Sequence, residues 1–431
     1  IGAYAFYEND ALAKISYDGN QITELLEYTF YGCDSLNDFN GNESFRVILP
    51  ESITTIEDYA FANCVGMESL DLVNVTSVGD YAFYMTKLMN KLDLRTLNSL
   101  GEHAFDHAEG LLEVILPASL TEVGAYAFAN TYALENLTIL NEVLSDYMFY
   151  KSTQKALNPM ELEIPAIVVS FGNYIFAEAT NLEKVTMHAS MSEVAAQDGK
   201  YMFKDCSNLR EANFTSGSIT ILKEGTFQNA SSLEAFALPE TIVTIEDYAF
   251  DSTDLEAIEI AQSVVTIGKY AYRNNASVRE LNIPANVKHI GYAAFNGCGS
   301  IVKATLPFIG SNAPDYASYA GQSGSESLFG YIFGREAYEN ATLIHQFMKN
   351  YNEAMIATVK RSFKNELGQT AYDTDGYGNY INEALEVTSS PSVYGEAFWV
   401  PSGLAKVEFL DTFTKITNGQ MSGVTTLYDV K

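Results

Sequence analysis

One motif governs this chain. Tyr-Ala-Phe and its variants return throughout, with the aromatic third position at Phe6, Phe30, Phe61, Phe83, Phe105, Phe128, Phe149, Phe176, Phe203, Phe227, Phe250, Tyr272 and Phe295. The intervals are 24, 31, 22, 22, 23, 21, 27, 27, 24, 23, 22 and 23 residues. Thirteen returns at a period near 22–23 mark an internal repeat, which means stacked units rather than an ordinary globular domain. Each unit has the same grammar. After Phe105 come Leu111, Val114, Leu116, Pro117, Leu120 and Val123, then Phe128. After Phe227 come Leu233, Phe236, Leu238, Pro239, Ile242 and Ile245. After Tyr272 come Val278, Leu281, Ile283, Pro284, Val287 and Ile290. The Val114-x-Leu116 step is the alternation of a short strand with one buried face, and the proline ends that strand because it has no N–H to donate. One such unit cannot bury its own apolar face, so the reading is a β-rich solenoid with a short parallel strand per coil. Stacking at about 4.8 Å per coil predicts a rod or arc on the order of 60 Å.

Composition bounds the function. Apolar residues are 47% of the chain, which suits a large core and excludes a disordered chain. Lys+Arg 25 against Asp+Glu 55 gives a net charge of −30, which repels phosphate backbones and anionic lipid, so no nucleic acid is expected as partner. No apolar run reaches the length of a membrane helix, so no membrane insertion is expected within these residues. The opening Ile1-Gly2-Ala3-Tyr4-Ala5-Phe6 falls inside the motif, so a fragment is expected, with any export signal upstream.

The pattern Leu-x-x-Val-x-Leu-Pro-x-x-Leu-x-x-Val-Gly-x-x-Ala-Phe-x-x-small-x-x-Leu over residues 111–134 resembles the BspA-type leucine-rich repeat. The resemblance spans roughly residues 1–310 and resumes near 400. It implies a surface or secreted protein of bacteria or protozoan parasites, adhesion to host matrix proteins or other cells, and no catalytic residues.

Reading down the columns says more. The third position after Phe is small throughout, and it holds all four cysteines, Cys33, Cys64, Cys206 and Cys298. They read as small buried thiols. Cys33 and Cys64, in adjacent coils, are near enough to approach one another, whereas Cys206 and Cys298 are coils apart and cannot pair. The column four before Phe contains Gly2, Gly79, Gly101, Gly124, Gly172, Gly268 and Gly291, with Glu57 and Glu246 as substitutes. A position that accepts Glu does not demand a glycine-only conformation, so it reads as a solvent-facing turn. Two before Phe stand Tyr4, Tyr28, Tyr59, Tyr81, Tyr126, Tyr147, Tyr174, Tyr201, Tyr248 and Tyr270. This lane is either a ladder of rings packed on one another or an amphipathic stripe that grips a protein or glycan. A further lane, expected to point outward from the strands, carries Glu68, Glu135, Glu183, Glu234 and Glu256, with Arg210 and Arg279 between. It reads as a solvated face or as a surface for a basic or mixed-charge partner.

The repeat breaks after Leu306-Pro307. The expected organisation is a solenoid over 1–307, an insertion over 308–398, and a resumed, truncated repeat over 399–431. Pro307-Phe308-Ile309-Gly310 and Phe329-Gly330-Tyr331-Ile332-Phe333-Gly334 resemble an insertion of Gram-positive family members. Leu343, Ile344, Phe347, Met348, Tyr351, Met355, Ile356, Val359 and Phe363 recur at three- and four-residue steps, which predicts an amphipathic helix over about 337–367, laid on the solenoid or offered to a partner. Asp373-Thr374-Asp375-Gly376 hints at a calcium loop, but Tyr377 and Ala384 occupy ligand positions, so it reads as a turn. Trp399-Val400-Pro401, with Leu404, Val407 and Phe409, re-enters the repeat.

Chemistry is sparse. His103 and His107 straddle Phe105 without the glutamate of a zinc hydrolase motif, and no nucleophile elbow, Walker loop or dinucleotide fingerprint occurs. Seven Asn-x-Ser/Thr triplets are what an Asn- and Thr-rich repeat carries by composition, so they do not indicate glycosylation. The carboxylates recur in columns, whereas a catalytic pair should break a repeat. No catalytic residue, cofactor or metal is therefore expected. The leading reading is a non-catalytic extracellular or cell-surface protein that binds a protein or glycan ligand of host matrix or cell surface. The alternative is a spacer or targeting module attached to a catalytic domain elsewhere.

Overall fold

The computed structural model describes residues 1–17, 21–39, 47–72, 74–87, 89–190, 199–215, 219–313, 326, 328–349, 362–364, 370–372, 393–410, 421, 424–425, 427 and 429–430. Two compact units divide the chain, Ile1–Leu255 and Glu256–Lys431.

The first unit is a parallel β-solenoid. A lane of longer strands carries Met89–Asp93, Gly110–Leu116 and Asn136–Ile139 side by side, with Leu92, Val114 and Leu137 in register. Further along, Met160–Ile164, Leu182–Met187 and Glu211–Phe214 repeat the arrangement, aligning Leu162, Val185 and Ala212. A second lane is built from two-residue strands, Glu24–Leu25, Thr55–Ile56, Ser77–Val78, Ser99–Leu100 and Glu122–Val123. In several coils proline makes the corner between the lanes. Having no N–H to offer, it accepts instead, as where the Leu120 N–H donates to the Pro117 carbonyl at 3.0 Å.

The third side is the turn that carries the motif. Its backbone donors alternate between two destinations. The Tyr59, Phe61 and Asn63 N–H groups cross to the Asp80, Ala82 and Tyr84 carbonyls of the next coil at 2.8–2.9 Å. The Ala60, Ala62 and Cys64 N–H groups close tight turns within the coil, onto Glu57, Tyr59 and Phe61 at 3.1–3.3 Å. Every donor in the bend is thus satisfied, as a partly buried backbone requires. The interior side holds the phenylalanine column. Phe6 through Phe250 stack in sequence with centroids 5.0–5.9 Å apart. From Phe30 onward these rings are fully buried.

The small column beside the rings serves the backbone. The thiols of Cys33, Cys64 and Cys206 donate to the carbonyls of Phe6, Phe30 and Phe176, one coil back, at 3.0–3.2 Å. Thr86, Thr131 and Thr253 donate to the phenylalanine of their own coil at 2.8–3.1 Å. All four cysteines are buried and free, so Cys33 and Cys64 are not bridged. The glycine column is a partial correction. It is not a solvent-facing turn, because it lies against the preceding coil: a Cβ on Gly101 would stand 2.4 Å from the Gly79 carbonyl carbon, and one on Gly124 would stand 2.2 Å from the Glu102 nitrogen.

Two of the long-strand pairings slip by one residue. Pairing of Gly110–Leu116 with Met89–Asp93 slips between Leu111 and Glu113, which expels Leu112 toward solvent. The same slip opposite Met160–Ile164 skips Glu183.

In the second unit, Thr266–Ile267 pairs with His289–Ile290, and Tyr272 stacks on Phe295 at 5.7 Å. Lys303–Leu306 pairs directly with Lys406–Phe409, so the strand lane continues across the intervening residues. The 3-10 turn Phe329–Ile332 supplies the next rung of the turn face: the Ala293 and Phe295 N–H groups donate to the Tyr331 and Ile332 carbonyls at 3.0 and 2.9 Å. The expected helix over 337–367 is overturned where the chain is described. Ala341–Lys349 is a strand, antiparallel to Val393–Pro401 with Ile344 opposite Phe398, and Ser362–Lys364 pairs with Thr370–Tyr372. Ile344 and Gln346 alternate inward, and the Gln346 side chain accepts the Gly330 N–H at 2.6 Å. The three- and four-residue spacing fits either element over so short a run, and a partner strand about fifty residues away decides. The calcium-like stretch 373–379 lies outside the described residues.

Candidate interaction surface

The tyrosine lane lies on the turn face, and its backbone is unusual. Tyr4, Tyr28, Tyr59, Tyr81, Tyr126, Tyr147, Tyr174, Tyr201, Tyr248 and Tyr270 all have φ of 53–58°, the left-handed region. A second left-handed column follows four residues later, including Asn63, Asn130, Asp205 and Asn229 at 56–60°. A bulky side chain pays about 1–2 kcal/mol for that conformation. It is offset here by the inter-coil hydrogen bond of each N–H and by stacking. The rings from Tyr4 to Tyr201 lie face to face with centroids 4.5–4.8 Å apart and planes within 14°. Their faces are therefore spent on one another, and edges and hydroxyls form the outward stripe. Burial within the stack pushes the phenols of Tyr28, Tyr59, Tyr81, Tyr126 and Tyr174 above their usual range, so they are donors at neutral pH.

His103 is a rung of the same ladder, 4.6 Å from both Tyr81 and Tyr126, a role hidden by reading the column as tyrosine alone. Its Nδ1 lies 2.7 Å from the buried Asp106 carboxylate, which also accepts from the Asn130 amide at 2.8 Å. His107 sits edge-on between Tyr84 and Tyr132. Among the described residues, no three His, Cys, Asp or Glu side chains gather as a metal-binding group.

The ladder breaks at Gly225, where a Cβ would meet the Tyr201 ring at 2.1 Å. Tyr201 folds over that glycine and donates its hydroxyl to Glu224. Tyr248 keeps the left-handed backbone beyond the gap. In the second unit, Tyr270 donates to Glu336 at 2.9 Å, and Tyr292 donates to the same carboxylate at 3.3 Å.

In the glutamate lane, Glu135 immediately precedes the strand Asn136–Ile139 and Glu183 lies within Leu182–Met187. Glu68, Glu234 and Glu256 are exposed. Glu183 is the bulge residue, and its carbonyl accepts the Arg210 N–H at 2.9 Å. Glu135 is engaged: its carboxylate takes the Asn158 side chain at 2.8 Å and the Leu157 and Asn158 N–H groups at 3.0 and 3.2 Å, which holds it below the usual carboxylate range. On the long-strand face, a cross-strand ion pair such as Lys184–Glu211 at 2.8 Å adds order but little stability at a solvated surface. Among the described residues, no helix is long and apolar enough to cross a membrane.

A family model described as a BspA type leucine rich repeat region, in six copies, matches residues 1–49, 41–156, 154–198 and 197–320. A leucine-rich repeat protein of Bacteroides ovatus is 25% identical, with a TM-score of 0.56 over 71% of this chain and 82% of its own. One from Eubacterium ventriosum is 17% identical, with a TM-score of 0.44 over 74% of this chain and 88% of its own. A leucine rich cell surface protein of Faecalibacterium prausnitzii is 20% identical, with a TM-score of 0.34 over 66% and 76%. No curated protein matches.

Proposed function

The chain belongs to the BspA-type leucine-rich repeat family, and from that premise we propose that it is a non-catalytic secreted or cell-surface protein whose outward turn face holds a protein or glycan ligand of host matrix or neighbouring cells. One observation carries this reading: a rigid aromatic interior is joined to an outer face of regularly spaced polar groups. The buried phenylalanine column and the inter-coil hydrogen bonds hold that face without ligand, so little ordering entropy opposes binding. Tyrosine suits such a surface, since it offers large contact area with a polar tip. The working stretch is the part of the ladder formed by Tyr59, Tyr81, Tyr126, Tyr147 and Tyr174, ahead of Tyr201, whose hydroxyl is already taken. The chain, immobilised, is presented with a panel of matrix proteins and glycans. Saturable binding to a member of that panel, weakened by Tyr→Ala changes at rungs 126 and 147 together, is the expected result. A panel that shows no saturable binding overturns the proposal.

A further inference from the structure

The turn face is not uniform in charge. Counting four residues either side of the core phenylalanine, the first four coils carry Glu8, Asp10, Glu27, Asp34, Glu57, Asp58 and Asp80 against Lys87 alone. The same windows in the seventh to tenth coils carry Asp146, Glu178, Asp205 and Glu224 against Lys151, Lys200, Lys204 and Lys223. One stretch is thus seven to one and the other four to four. The acidic stretch is also the most aromatic. Beside the main ladder runs a second set of rings, Tyr7, Tyr31 and Tyr84, with Tyr7 on Tyr31 at 5.0 Å and Tyr81 against Tyr84 at 5.5 Å. Burial first, and then the nearby carboxylates Glu27, Asp58, Asp80 and Glu102, raise the phenols of Tyr28, Tyr59 and Tyr81. Farther along, burial also raises the Tyr174 phenol, with Lys200 and Lys204 opposing the rise.

Two lysines beyond the fourth coil show what such rings and carboxylates hold. Lys151 Nζ lies 5.0 Å from the Tyr150 ring centre and 3.4 Å from Glu178. Lys155 Nζ lies 4.5 Å from the Tyr132 ring centre and 3.1 Å from Glu109. Each ammonium is seated between a tyrosine and a carboxylate, which combines cation–π attraction with an ion pair. The first four coils present the same two ingredients: Asp58 and Asp80 each accept a backbone N–H of the next coil, at 2.8 and 2.7 Å, and Glu8, Asp10, Glu27 and Asp34 stand exposed.

We propose that the turn face of the first four coils binds a lysine- or arginine-rich segment of a partner protein, whose side chains take the places that Lys151 and Lys155 occupy farther along. This rests on the interaction reading and goes beyond it, adding an acidic stretch that overlaps the working ladder only at Tyr59 and Tyr81 and naming its partner's chemistry. A matrix ligand that binds elsewhere on the face leaves that reading standing and this one refuted.

The test uses the full chain and a fluorescent oligolysine peptide, with oligoglutamate as control, followed by anisotropy at low and physiological salt. Oligolysine binds and weakens with salt, and oligoglutamate does not bind. The variant E8Q/D10N/E27Q/D34N, at four exposed positions, weakens binding about tenfold or more. The variant E122Q/E161Q/E234Q/E240Q removes the same charge from exposed positions off this stretch and changes affinity less than about twofold. Circular dichroism confirms that both remain folded. Equal weakening by the two variants reduces the effect to bulk charge and overturns the proposal, as does failure of the parent chain to bind oligolysine. Tyr31→Leu, which leaves every charge in place, reads the contribution of the ring.

Discussion

Removing one ring from the interior column tests whether the coils share a continuous core. Phe105 has no exposed surface, and its ring lies 5.0 Å from Phe83 and 5.4 Å from Phe128. Phe105→Ala leaves a void bounded by two aromatic faces. Those faces cannot close on it, because the Phe83 and Phe105 N–H groups are tied to the next coil at 2.8 Å each. Truncating a buried phenylalanine costs about 3–5 kcal/mol. Two stacking contacts of about 0.5–1.5 kcal/mol each, partly contained in that range, place this site near its upper end. Phe6→Ala is the internal control. Phe6 is half-buried and stacks on Phe30 at 5.2 Å, so it should lose about 1–2 kcal/mol. The assay is guanidinium unfolding followed by far-UV circular dichroism, with hydrogen exchange to localise the loss, since a repeat stack need not unfold as one cooperative unit. Exchange should rise in the coils flanking Phe105 first. If Phe105→Ala and Phe6→Ala agree within about 1 kcal/mol, the rings do not form the shared column inferred here.

Other outcomes follow from the turn geometry. Gly124→Ala should destabilise by about 1–3 kcal/mol, because its Cβ meets the Glu102 backbone at 2.2 Å, whereas Gly2→Ala, with nothing within 4 Å, should stay within about 0.5 kcal/mol; thermal melts compare the two. Tyr59→Val should lose about 1–2 kcal/mol more than Tyr59→Asn, since a β-branched residue tolerates φ of 56° worst and Asn tolerates it best; chemical denaturation of the pair checks the order. Burial pushes the Cys298 thiol up to about 12, so it and its three buried counterparts should resist alkylation at pH 8 and react fully in denaturant, as mass spectrometry would show. The same shift fixes a sign: the folded state favours the neutral thiol, so this contribution is complete below the ordinary value of 9.0 and is lost as pH rises toward about 12.

Much of the architecture is legible in the residues themselves. A 22–23-residue period, an apolar residue at each strand position and a proline after several of the strands leave a solenoid as the structure that buries every coil, and the buried lane of Phe30 to Phe250 follows from the column of aromatics. Local pattern stops where the decisive partner is distant. Ala341–Lys349 has a spacing compatible with a helix and becomes a strand because Val393–Pro401 lies alongside it. Leu112, Glu135 and Glu183 each stand seven residues after their phenylalanine, yet the strand pairing slips at Leu112 and Glu183 and starts in register just after Glu135, a difference set by the neighbouring strand. The glycine column answers to the backbone one coil away rather than to its own φ, so sequence showed the recurrence without its cause.

The repeat thus determined by itself the handful of buried lanes and the family they belong to. The tertiary structure alone decided that ten tyrosines would adopt left-handed backbone, that His103 would complete their stack, and that Glu135 would be occupied while Glu68 stays exposed. The physical reason is range. Apolar periodicity is written within one coil, whereas turn conformation, stacking and charge pairing are settled between coils, by hydrogen bonds and rings that sequence places twenty or more residues apart.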